Sequence, residues 1–332
     1  MILVTGGTGL LGGHLLLELR KRKEEVRCLI RPETDKHKVF SVWKYYPDNP
    51  EELLDSIDWY QGDLLDKSSI EEAMVGTNKV YHCAAAVSFN TRDTKKLHNT
   101  NILGTRNLVD ICLEKKPLKF LHVSSVAALS KSMYGKLITE SNGWPVKNST
   151  VYSYTKTRAE FEVWRGITEG LNAIIVNPSV ILGPGDWTQS SSRIYEIVNN
   201  GIRYYTLGKT GYVGVQDVVK AMIILMESDV GGERYILNTS NISYKELFEK
   251  IALALNKRAP YKLATPFFLS LLWRIEFLIS VITGKPPRLT KQSVKSANSI
   301  QEYSAKKFIE QFNYTFQSID QVISETAKYY IK

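Results

Sequence analysis

The strongest constraint on the fold of this chain sits in its first residues. An apolar run, Ile2 to Thr5, enters Gly6-Gly7-Thr8-Gly9-Leu10-Leu11-Gly12-Gly13, and a helical pattern from Leu10 to Leu19 follows at once. Glycines at 7, 9 and 12 match the dinucleotide fingerprint, and those at 6, 9 and 12 match its GxxGxxG variant. The first glycine permits a tight turn, the second lets backbone approach a pyrophosphate, and the third allows close helix–strand packing. The phosphates then rest on the helix N-terminus, where peptide N–H groups lack intrahelical partners.

The strand–helix alternation continues through the first half of the chain. Further strands are expected at Glu25–Ile30, Ile57–Tyr60, Val80–Ala86, Lys119–Ser124 and Ala173–Val176, with helices at Ser69–Met74, Thr100–Glu114 and Thr150–Glu169. Short apolar strands separated by helices predict an α/β fold with a Rossmann-type, doubly wound parallel sheet covered on both faces. After Pro178 the pattern changes, starting with the turn cluster Gly183-Pro184-Gly185-Asp186. The reading is a dinucleotide-binding domain over 1–177, to which 211–230 returns. A smaller, mainly helical substrate domain takes 178–210 and 231–332.

Composition excludes several classes. Hydrophobic residues at 43% and charged residues at 23% rule out wholesale disorder. The net charge of +9 is spread along the chain, and its densest patch, Arg20 to Lys23, meets Glu24 and Glu25 at once. That is not the clustered, aromatic-interleaved stripe of a nucleic-acid binder. Cys28, Cys83 and Cys112 form no CxxC pair and read as reduced thiols, without a metal site. No basic leader precedes Ile2, which makes the cytoplasm the expected location. The apolar run Phe267–Ile282, interrupted by Arg274 and Glu276, is expected to be a helix buried in a substrate lid or a subunit contact, ahead of a membrane-surface helix.

The end of the second strand bears on cofactor choice. An NAD binder usually carries an acid there to bond the ribose hydroxyls. This chain has Ile30-Arg31-Pro32, with the nearest acid, Glu33, beyond the proline. Arg31, assisted by Lys36 or Lys38, can make a charge-assisted contact with a 2′-phosphate. NADP(H) is expected ahead of NAD(H).

Proton transfer has its own candidates. In Tyr152-Ser153-Tyr154-Thr155-Lys156, Tyr152 and Lys156 stand one helical turn apart on one face. A phenol is a poor acid–base group at neutral pH, and lowering its pKa by about 3 takes about 4 kcal/mol. One ammonium about 4 Å away supplies about that much at an effective dielectric near 20. Tyr154 and Arg158 form a similar pair two residues on, without the lysine.

Other motifs follow in order: Gly62-Asp63-Leu64, His82-Cys83-Ala84-Ala85, Asn101-Ile102-Leu103-Gly104-Thr105, Val123-Ser124-Ser125 and Asn177-Pro178-Ser179. With the glycine loop and the tyrosine–lysine pair, the chain to about residue 225 closely resembles the extended short-chain dehydrogenase/reductase family, nearest its dihydroflavonol-reductase and 3β-hydroxysteroid-dehydrogenase branch. The resemblance implies that Tyr152 is the general acid/base, that Lys156 lowers its pKa and holds the nicotinamide ribose, and that Ser125 bonds the reacting oxygen. It also implies that Gly6, Gly9, Leu10, Leu11 and Gly12 hold the pyrophosphate and that Asp63 and Leu64 lie by the adenine. Ala84 and Ala85 would line the cleft, and Pro178 to Val180 would border the nicotinamide. Asn177 stands where many members have arginine. Relatives are often dimers through helices of the cofactor domain, so a homodimer is an open expectation.

The implied reaction interconverts a small-molecule ketone or aldehyde and its alcohol. Val126-Ala127 stand where 4,6-dehydratases resemble one another in an Asp-Glu pair. The stretch Ile181 to Trp187 lacks the tyrosine and arginine that epimerases place around the late Gly-Pro, and carries Asp186, which repels a diphosphate. Arg193 and Arg203 keep a nucleotide-sugar epimerase with tightly bound NAD as the runner-up. Trp187, Tyr204, Tyr205 and Phe267 are candidates for an aromatic lid.

Overall fold

A computed structural model describes residues 1–331 except 47–49, 89, 132–134, 136, 146–149, 285–286 and 288; the side chain of Thr91 is also outside the described set. Seven strands form the central sheet: β1 Ile2–Thr5, β2 Val26–Ile30, β3 Asp58–Gln61, β4 Lys79–His82, β5 Lys119–Val123, β6 Ala173–Pro178 and β7 Glu233–Leu237. Their spatial order is β7-β6-β5-β4-β1-β2-β3, and every pairing is parallel. The order reverses between β1 and β4, whose chains leave in opposite directions and open a crevice at the carboxyl edge.

Alternate residues along each strand feed two cores, as the period of two demands. Val4, Cys28, Tyr81, Leu121 and Val176 face one layer, which holds α1 (Leu10–Lys21) through Leu11, Leu15, Leu16 and Leu19. Leu3, Leu29, Val80, Phe120 and Ile175 face the other layer. It holds α2 (Gly104–Lys115) and α3 (Val151–Thr168) through Leu108, Val109, Ile111, Cys112 and Val163. Each fully buried leucine or valine contributes about 1.5–3 kcal/mol over an exposed one. The doubly wound sheet expected from the sequence is therefore present, and α4 (Val215–Glu227) joins the first layer through Val218, Val219 and Met222, as the return of 211–230 implies.

The domain boundary at 231 needs correcting. Residues 233–237 are not part of a separate substrate domain: β7 pairs with β6 from Glu233↔Ile174 to Leu237↔Pro178. The helix Lys306–Phe312 also folds back, burying Phe308 against Tyr235 in the first core. The remaining substrate region has its own small sheet, in which Lys209–Gly214 pairs with Val180–Leu182 and Ser240–Ser243.

Two further departures matter later. The chain before α2 does not start as an α-helix at Thr100; His98–Leu103 makes a wider π turn. The apolar helix α5 (Pro266–Thr283) is present, but only Leu269 and Ser280 are buried along it. The expectation of a helix buried in a lid does not hold within this chain. Trp187 also serves packing, with its ring against Tyr45, Tyr195 and Tyr330.

Candidate active site

The sequence-predicted site residues gather at the carboxyl edge of the sheet, because each follows or ends a strand. Gly6 follows β1, Arg31 β2, Asp63 and Leu64 β3, Ala84 and Ala85 β4, and Ser125 β5; Pro178 ends β6 and Val180 comes two residues on. Short parallel strands in register thus turn positions spread over most of 180 residues into one crevice.

The glycine loop shows which of its two registers is structural. Gly6 has φ +74, and a Cβ there would lie 2.6 Å from the amide nitrogen of Ala84. A Cβ on Gly12 would lie 2.2 Å from the carbonyl oxygen of Gly6. Gly7 instead packs the helix onto β2, where a Cβ would meet Cys28 Sγ at 2.4 Å. Gly6, Gly9 and Gly12 therefore make the turn. At Gly9 a Cβ would meet nothing closer than 3.4 Å, so its face is open. Gly9 is the N-cap of α1, no side chain caps that end, and its first turn carries no acid. The amides of Leu10 and Leu11 lie in that uncapped first turn. These residues fit a dinucleotide pyrophosphate.

Beyond β3, the Asp63 carboxylate accepts from the amide of Leu65 at 2.9 Å, and the Leu64 carbonyl accepts from Asn107 Nδ2 at 2.9 Å. Arg31 is exposed and pairs with Glu33 at 3.2 Å. An ion pair so open to water is weak enough to be exchanged for a phosphate.

The candidate proton-transfer groups lie on α3 and just beyond β5. Thr150 caps α3 by accepting from the Ser153 amide at 2.9 Å, which fixes where Tyr152 and Lys156 point. Tyr152 and Ser125 share a side-chain hydrogen bond. Ser124, which competes with Ser125 in the sequence, is buried and donates to Glu160 Oε2 at 2.7 Å. Ser125 is thus the serine on the tyrosine side. Lys156 is 2% exposed and donates to the Val123 carbonyl at 2.8 Å. Burial pushes its pKa down to about 8, with Glu160 and Cys83 pulling the other way. The Tyr152 phenol is shifted up by burial, partly offset by Ser125. The lowering that Lys156 was expected to give is not seen: burial sets the direction of the shift, and Ser125, not Lys156, offsets it. Tyr154, by contrast, is exposed, and Arg158 lies over Phe161, so that pair stands apart.

Four residues that sequence reasoning gave no role support these groups. Asn101, on the π turn, accepts from the Ala86 amide at 2.7 Å and donates to the Ala86 carbonyl and Thr155 Oγ1, both at 3.0 Å. It ties the loop after β4 to α3. Glu160, one turn beyond Lys156, is fully buried and accepts from Ser124, Asn177 and Arg234. Asn177 also donates to the Ser125 carbonyl at 3.0 Å, which gives it a place in the site's frame. The signals were the NxxGT motif for Asn101, the Asn177-Pro178-Ser179 motif and the helical spacing of Glu160 from Lys156. Arg234 had none, since it arrives on a strand far along the chain.

The fold and the crevice together define an NAD(P)-dependent enzyme of Rossmann type. Comparison with known proteins gives the family: the profile of the NAD dependent epimerase/dehydratase family matches residues 2–238, and the chain belongs to that family. A putative dihydroflavonol 4-reductase of Synechocystis sp. is similar at 28% identity, over 98% of this chain and 93% of its own length. Sterol demethylase protein B of Methylococcus capsulatus is 29% identical over 74% of this chain and 72% of its own. UDP-glucose 4-epimerase of Thermus thermophilus, solved with NAD, superposes with a TM-score of 0.76 over 99% of this chain and 98% of its own at 20% identity, a likeness of fold.

Proposed function

We propose that the protein is an NADP(H)-dependent oxidoreductase that interconverts a small-molecule ketone or aldehyde and its alcohol. The observation that carries this reading is the hydrogen bond between Tyr152 and Ser125, with Lys156 buried one helical turn along α3 from Tyr152. When bound, the nicotinamide supplies or accepts the hydride. Ser125 and Tyr152 hold the substrate oxygen from two hydroxyls. In the reductive direction the Tyr152 hydroxyl gives its proton to that oxygen while hydride adds to the carbon, which leaves an alcohol and a phenolate. Lys156, when protonated, stabilises that phenolate, and a proton from solvent restores it. Similarity to a putative reductase over nearly the whole chain supports the direction of the reading.

The preference for the phosphorylated cofactor is supported by Arg31, which stands free to exchange Glu33 for a 2′-phosphate at the end of β2. The epimerase alternative draws less support. Asp186 spends its carboxylate on Thr188 and Gln189 in a turn, and Arg193 and Arg203 are both exposed.

The test is turnover of carbonyl substrates by the wild type and Tyr152→Phe, with cofactor binding followed in parallel by fluorescence. Removal of the proton donor should lower kcat by roughly a hundredfold or more while cofactor binding persists. Near-normal turnover in the variant sinks the mechanism, and tightly retained NAD without any NADPH preference moves the reading to the epimerase.

A further inference from the structure

The helix α5 is built inside out for a helix at a water surface. Phe267 and Ile282, near its two ends, are 82% and 83% exposed, and Leu271, Ile275, Phe277, Leu278, Ile279 and Val281 are exposed between them. The polar residues Glu276 and Ser280 are instead on the half-buried and buried side. Among the described residues α5 is the one helix long and apolar enough to cross a membrane. Its setting argues for lying flat. Phe268 stacks on Tyr204 at 5.3 Å near one end, and Arg92 donates to the carbonyls of Gly284 and Ser280 at 3.2 and 3.4 Å at the other. Arg274, at mid-helix, curls back to the Ser270 carbonyl at 2.6 Å and lies over the Trp273 ring, a cation on an apolar stem that can reach a headgroup layer.

Charge says what covers this face. Between residues 257 and 295 the sequence carries Lys257, Arg258, Lys262, Arg274, Lys285, Arg288, Lys291 and Lys295, against the single acid Glu276. The stretch that carries α5 thus holds eight cations against one acid, a local concentration within a charge that is otherwise spread along the chain. A second copy of the chain would bring this excess against itself. An anionic lipid surface satisfies both the apolar face and the cations. We propose that α5 and its basic flanks seat the protein on an anionic membrane surface, with the helix lying in the plane of the interface.

Co-sedimentation of the full chain with vesicles of phosphatidylcholine, with and without phosphatidylglycerol, tests this directly and needs no substrate. Partitioning should be roughly tenfold or more stronger with phosphatidylglycerol and should weaken as salt is raised. The double variant Phe267→Ser/Ile282→Ser, altered at two exposed positions, should keep its circular dichroism spectrum and lose binding by roughly tenfold or more. Lys291→Glu/Lys295→Glu should abolish the preference for the anionic vesicles. Equal and negligible binding to both vesicles overturns the proposal. So does binding indifferent to the Phe267/Ile282 variant, or a stable dimer by light scattering that dissociates in that variant while the wild type ignores lipid.

Discussion

Glu160 and Arg234 form an ion pair at 2.9 Å with side chains 0% and 9% exposed, joining α3 to the edge strand β7. The same carboxylate accepts from Ser124, the sequence neighbour of Ser125, and from Asn177, which also donates to the Ser125 carbonyl. Arg234 further donates to the carbonyls of Glu140 and Asn142. The pair therefore connects the sheet edge to the hydrogen bonds that frame Ser125. Removing one member of a buried pair strands the other charge.

Arg234→Met is accordingly expected to destabilise the fold by about 3–5 kcal/mol, read from urea midpoints. Kinetic parameters measured on the surviving folded fraction should lose kcat as well, because Glu160 and the Ser125 carbonyl lose a fixed frame. A loss below about 1 kcal/mol contradicts the buried pairing described here.

Lys156 makes stability depend on pH. Its pKa falls from the ordinary 10.5 to about 8 on folding, so between those values the unfolded chain holds more of the proton. Stability contributed by this group therefore rises as pH goes from about 8 to about 10.5, and below about 8 the full cost, about 3 kcal/mol, is present. Compared with Lys156→Met across that range, the wild type should gain stability with pH. A gap between the two that stays constant removes the argument.

Arg31→Glu should reverse cofactor choice. With the cation gone and an acid in reach of ribose hydroxyls, KM for NADPH should rise by roughly tenfold or more, while that for NADH should hold or fall. Steady-state kinetics with both cofactors decide it, and a variant that keeps its NADPH preference refutes the role of Arg31.

Asn101→Ala removes three hydrogen bonds that tie the loop after β4 to α3. The stranded Ala86 groups should cost about 2–3 kcal/mol in stability. Cofactor KM should rise more than kcat falls, since Ala84 and Ala85 belong to that loop. Asn101→Asp keeps the acceptor for the Ala86 amide and should recover part of the loss.

The legible part of this molecule was the part governed by local rules. The glycine loop, the strand periodicity and the Thr150-capped helix carrying Tyr152 and Lys156 all act over a few residues, and the sheet brings their ends together. What escaped is set by long-range partners. Arg234 lies 74 positions from Glu160, and β7 looks like any short apolar run until β6 offers it an edge. The winding at His98–Leu103 differs from an α-helix by one hydrogen-bond step, which composition does not encode. The exposure of α5 within this chain was not legible, because apolar sequence alone does not say which face finds a core.

The contact of Gly12 with the Gly6 carbonyl also bears on how such a protein changes through time. A turn with no room for one carbon atom admits almost no drift, whereas Arg31 and Glu33, open to water on the rim, can be exchanged without disturbing anything beneath them. On the proposed roles of Arg31 and the glycine loop, a lineage built on this chain can switch between the two nicotinamide cofactors by surface replacements while the turn beneath them stays fixed.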